Sequence, residues 1–161
     1  MKGLSGTILA AACAAALLSL SPAHAQLGTK KALTLDIAKK LALAAEAEAA
    51  KHTWTMVIVI VDDGGNLVYL EKIDNTQIGS IDVAIQKAKT AIAFKRPTKS
   101  FEERVLGGRT TILGLPGAVP IEGGLPLIVD GQYIGAIGVS GGASDQDGVV
   151  AKAGADALGS P

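Results

Sequence analysis

Thr55-Met56-Val57-Ile58-Val59-Ile60-Val61, then Asp62-Asp63-Gly64-Gly65-Asn66, then Leu67-Val68-Tyr69-Leu70-Glu71-Lys72-Ile73 is the stretch that decides the fold. Its first part is continuously apolar and mostly β-branched, which at this length predicts a strand buried on both faces. The Asp-Asp-Gly-Gly-Asn run is a tight turn, and residues 67–73 form the returning strand of a β-hairpin.

Working outward, Thr34 caps a helix whose Leu35, Ala38, Leu41, Ala42, Ala45 and Ala49 share one face, with Asp36 in the first turn favouring the helix dipole. Beyond the hairpin, Ser80 opens a second helix with an apolar stripe of Ile81, Ala84, Ile85, Ala88 and Ile92, ended by Pro97. Lys87, Lys89 and Lys95 fall off that stripe. Glycine and proline dominate residues 107–126, which read as a loop of close backbone approaches, the kind that carries sites. Residues 127–139 form a second hairpin about Asp130-Gly131, and Ser144 with Asp147 predicts a capping-box start for a last alanine-rich helix ending near Leu158. The order helix, hairpin, helix, loop, hairpin, helix implies an α+β fold, an antiparallel sheet flanked by helices in one domain.

Residues 1–25 have the tripartite pattern of a secretory leader: Lys2, an apolar stretch from Leu4 to Leu20, and the small-residue site Ala23-His24-Ala25. A membrane span wants about 20 unbroken apolar residues, and Ser19, Ser21 and Pro22 interrupt this one. The expectation is an exported protein, periplasmic or extracellular, whose domain is residues 26–161. Cys13, the only cysteine, leaves with the leader, so the domain rests on its core without a disulfide. The chain has 15 basic and 15 acidic side chains, and loss of Lys2 tips the remainder one charge negative. That balance offers no electrostatic attraction to nucleic acid or an anionic membrane. With Trp54, Tyr69, Phe94, Phe101 and Tyr133 as the whole aromatic set, recognition by base stacking is not expected either. One histidine, His52, and one methionine, Met56, after the leader exclude zinc or copper sites built from several imidazole or sulfur ligands.

His52 has two readings: a helix C-terminal residue, or an axial ligand for a haem iron. Asp62 and Asp63 read as turn residues bonded to local backbone, and Asp145 and Asp147 as helix-capping groups rather than calcium ligands. Gly138 to Gly142 matches no phosphate-binding fingerprint. Glu122-Gly123-Gly124-Leu125-Pro126 is either a wide turn or a nest whose amides receive a propionate or small carboxylate.

Val59 to Leu67, Ser80 to Ala84 with Lys87 to Ala91, Gly123 to Leu127, and Ile134 to Gly142 together resemble the GlcG/HbpS-like family, to which the C-terminal domain of PduO-type cobalamin adenosyltransferases is related. The resemblance runs from about Leu33 to Leu158. It implies a profilin-like fold, homo-oligomers from dimer to octamer, and in several members haem binding, some as exported accessory proteins that sequester haem or report redox stress to a membrane sensor. Because axial ligation varies in the family, Tyr69, Tyr133, Met56 or a hydroxyl are alternatives to His52. Lys87, Arg104 and Arg109 are the expected propionate partners.

The expected function is an exported, oligomeric, haem-binding accessory protein, more a binder than an enzyme, with His52 on the metal and Gly123 and Gly124 in the site. One alternative is a cofactor-free enzyme or carrier for a small organic acid, with Glu122 as general base and the Gly123-Gly124 amides stabilising an oxyanion. The other is a ligand-free partner of a membrane sensor or dehydrogenase.

Overall fold

The computed structural model describes residues 28–159; the leader lies outside the described residues. The elements are α1 (Leu35–Lys51), β1 (Val57–Asp62), β2 (Leu67–Lys72), α2 (Ser80–Phe94), α3 (Lys99–Leu106), a 3-10 turn (Thr110–Gly114), β3 (Gly124–Val129), β4 (Gln132–Ser140) and α4 (Ser144–Asp156). The four strands form one antiparallel sheet in the order β2-β1-β4-β3.

Helices cover both faces of that sheet, and this is why β1 lacks polar alternation. Met56, Ile58 and Ile60 join Ile137, Val139 and the buried faces of α1 and α4 in one core. Val57, Val59 and Val61 join Ala136 and the Ala84, Ala88, Ala91 and Ile92 stripe of α2 in a second. Every residue from Met56 to Val61 is fully buried. Helix α2 sits so close to β4 that a Cβ at Gly138 would lie 2.1 Å from the Ala84 carbonyl oxygen.

Two bulges interrupt the pairing. In β4, Leu127 faces Gly135 while Ile128 faces Tyr133, leaving Ile134 as the extra residue. Side chains therefore stop alternating there: Ile134 and Ile137 share the α1/α4 core, and Tyr133 and Ala136 lie on the α2 side.

Four sequence expectations need correction. Residues 107–126 are less loop-like than their composition suggests, since a 3-10 turn occupies 110–114 and β3 begins at Gly124 rather than Leu127. Helix α3 was not foreseen: only Phe101 on it is buried, too thin a stripe to announce a helix. The last helix is capped differently, with Gln146 Oε1 accepting from the Ala143 amide at 3.0 Å while Ser144 Oγ donates to Glu102. Lys87, off the apolar stripe in sequence, is nonetheless 1% exposed. No helix among the described residues is long and apolar enough to cross a membrane.

Candidate functional site

Lys87 points from α2 past the start of β3, where its Nζ donates to Asp147 Oδ2 at 2.6 Å and to the Val139 carbonyl at 3.1 Å. Asp147 Oδ1 accepts from the Gly142 amide at 3.0 Å. Burial raises the Asp147 carboxyl above its ordinary pKa, against the downward pull of Lys87 and of the Gly142 and Gly141 amides. Lys87 is thus corrected as a propionate partner: its ammonium is enclosed and already neutralised inside the fold. Gly123 closes this chamber, because with φ +124° it brings backbone where a Cβ would sit 3.0 Å from Lys87 Nζ and 2.6 Å from Val139 O.

The neighbouring cleft, about 290 Å³, is lined by Pro97, Lys99, Glu122, Gly124, Gly148 and Lys152, among others. Glu122 lies against Gly148 and pairs with Lys99 at 3.0 Å. Of the Gly123-Gly124 amides foreseen as a nest, that of Gly124 is taken up within the fold. The Glu122 amide donates to Glu102 Oε2 at 2.7 Å and the Gly124 amide to Thr98 Oγ1 at 2.9 Å, so both donors have partners within the fold.

His52 is the C-cap of α1. Its ring stacks on Trp54 with centroids 4.2 Å apart, and Nε2 lies 3.3 Å from Glu48 Oε1. A carboxylate on one ring nitrogen is how metal-bound imidazoles are held, yet this ring stands exposed on the surface. Tyr69 donates to Glu71 at 3.0 Å, and Met56 is core. Arg104 and Arg109 are exposed on and just after α3. His52 and the two arginines stand on separate elements, whereas Met56 and Tyr69 pack in the same core.

A more complete constellation lies at the opposite end of the sheet. Two adjoining clefts share Asp63 and Ile92. One, about 340 Å³, adds Lys30, Lys31, Lys95, Gln132 and Tyr133. The other, about 320 Å³, adds Lys89, Ala93 and the Gly64-Gly65-Asn66 turn. Asp62 shapes that turn by accepting from the Gly64 and Asn66 amides at 2.9 and 2.8 Å, which is the local backbone role its sequence suggests. Gly65, at φ +77°, lets the turn rest over Ile92 and Lys89. Lys30 pairs with Asp63 and Lys31 with Asp130. Neither Lys89 nor Lys95 has a carboxylate within 4.0 Å among the described residues, and Lys95 Nζ sits 5.3 Å over the Tyr133 ring.

The result is an apolar floor of Ile92, Ala93 and Tyr133 with a cationic rim. The sequence carried a partial signal, since Lys89, Ile92 and Ala93 recur at helix-face spacing. It gave no hint that the two hairpin turns close over them. His52 is remote from this groove: it precedes Val57, which pairs with Ser140, whereas the groove lies beyond Asp62, which pairs with Gly135, roughly 17 Å along β1.

Comparison with known proteins accords with the fold. A family model described as haem degrading protein HbpS-like matches residues 33–156. The GlcG protein of Escherichia coli K12 is 42% identical over 112 residues, covering 70% of this chain and 84% of its own. A double mutant of Streptomyces reticuli HbpS superimposes with a TM-score of 0.76 at 32% identity, over 88% of this chain and 99% of its own. PduOC, solved in complex with haem, does so with a TM-score of 0.70 at 30% identity, over 79% of this chain and 95% of its own. On matching that spans nearly the whole described domain, this chain belongs to the HbpS-like family.

Proposed function

We propose that the protein binds haem, as an exported accessory protein that holds haem away from solution or presents it to a redox-sensing partner. The observation that carries this reading is the groove between the hairpin turns and α2. Haem is a flat apolar disc with two propionates at one edge, and the groove pairs an apolar floor with two ammonium groups free to receive carboxylates. Each cleft has the volume expected of small-molecule and cofactor sites. Family membership and the haem complex of PduOC support the same reading. Export rests on the leader pattern of residues 1–25.

Exposed Leu106 and Leu113, on the contacting α3 and 3-10 segments, support assembly with further copies, since neighbouring exposed apolar side chains favour burial. His52, held by Glu48 and Trp54, is the competing iron donor, and would act from the other end of the sheet. Titration of the purified protein with haemin tests the function: a saturable Soret shift is expected, and non-saturating partition alone contradicts it.

The second reading, a carrier for a small organic acid, is favoured by Lys99 and Lys152 flanking the Glu122 cleft. Catalysis there by Glu122 is not, because its carboxylate is paired with Lys99 and the Gly124 amide already has an acceptor. Loss of acid binding in Lys99→Glu with haemin binding retained would establish it as a separate activity.

A further inference from the structure

We infer that Tyr133 is the iron donor of the groove, an assignment that rests on the haem-binding reading. The first ground is the bulge at Ile134. Unbroken alternation along β4 would put Tyr133 on the same side as Ile137, in the α1/α4 core; the extra residue turns it to the α2 side, where it lines the groove. Bulges beside sites re-aim side chains in this way.

The second ground is donor chemistry. The residues lining the two clefts offer ammonium, carboxylate, amide and phenol groups, with no imidazole, thiolate or thioether. Of these, the phenolate belongs to the established set of axial haem ligands. The third ground is the state of the hydroxyl. Tyr133 Oη donates to the Lys95 carbonyl at 3.3 Å, long for an O–H···O bond, so the hydroxyl gives up little when it turns to a metal.

Ligation is balanced simply. The O–H bond breaks as the Oη–iron bond forms, the proton passes to solvent, and iron keeps its ferric state. The Lys95 ammonium lies 5.3 Å from the ring centroid, over the face of the ring whose oxygen would bind iron. Lys89 and Lys95 on the rim remain the partners of the propionates.

Tyr133→Phe tests the assignment, because it keeps the ring on the groove floor and removes only the donor. Resonance Raman and absorption spectra of the haemin complexes are the readout, with Tyr69→Phe as the control for a phenol elsewhere and far-UV circular dichroism as the check on folding. The parent and Tyr69→Phe should show phenolate–iron modes and the associated charge-transfer band. Tyr133→Phe should lose both while still binding haemin, with affinity reduced several-fold. Should Tyr133→Phe fail to fold, Lys95→Met serves instead: it leaves the phenol in place and should shift the phenolate–iron modes. Spectra of Tyr133→Phe, or of Lys95→Met in its stead, indistinguishable from the parent would overturn the assignment while leaving haem binding intact. A parent that never saturates with haemin would remove the underlying reading itself, so the two failures are distinguishable.

Discussion

Lys87 Nζ and Asp147 Oδ2 meet at 2.6 Å with side-chain exposures of 1% and 3%, and they tie the helical layer on one face of the sheet to that on the other. Desolvating both charges costs free energy that their attraction and the Val139 and Gly142 bonds offset only in part. Removing one partner leaves the other charge stranded. Lys87→Met or Asp147→Leu alone should each cost about 3–5 kcal/mol of folding stability, whereas the double variant should recover most of that loss. A double-mutant cycle by denaturant unfolding reads this directly, and simple additivity would contradict it.

The seam between α2 and β4 gives a second expectation. A methyl at Gly138 would meet the Ala84 carbonyl at 2.1 Å and the Ala88 amide at 2.6 Å, backbone atoms that cannot turn aside as a side chain would. Gly138→Ala should therefore destabilise by about 1–3 kcal/mol or more, read as a lower melting temperature. A neutral result would mean that α2 packs farther from the sheet.

These two cases also mark how far the sequence was legible. The buried run of β1 and the two hairpin turns could be read because they obey local periodicity and turn chemistry, and the flanking helices because their apolar stripes face the sheet. The burial of Lys87 could not, since its partner lies 60 residues away and only the fold brings them together. The start of β3 was hidden because Gly123, Gly124 and Pro126 read as turn residues, yet β3 is an edge strand, where proline is tolerated. At the candidate site, Tyr133 was visible only as one of several donors, and the groove was invisible because it is built from α2, two turns and the segment before α1.

Glu71 supplies a pH-dependent expectation. Burial raises its carboxyl above the ordinary value of 4.5, the Tyr69 hydrogen bond opposes this, and nearby Glu46 adds to it. In the window between the unfolded and the raised folded value, the native state binds more protons than the unfolded state. This contribution to stability is therefore full below about 4.5 and is lost as pH rises through the folded value. Glu71→Gln keeps an acceptor for Tyr69 without the charge, so it should match the parent near pH 4 and exceed it near pH 7. Thermal melts of both proteins across that range check the sign, and a parallel pair of curves would refute it.

Assembly can be addressed separately from ligand binding. Leu106 and Leu113 are 81% and 63% exposed on adjoining segments, so replacing both with Asp should reduce the mass measured by light scattering if this face joins copies. Unchanged mass would remove the patch from the interface.

The most direct test of the central claim is haemin titration of the parent beside Lys89→Glu/Lys95→Glu and His52→Ala. Reversing two rim charges should weaken binding roughly ten-fold or more, equivalent to about 1.4 kcal/mol, and the parent's affinity should fall with added salt. His52→Ala should bind as the parent does. Unchanged affinity in the charge-reversed protein, with loss in His52→Ala, would place haem at the far end of the sheet and contradict the groove.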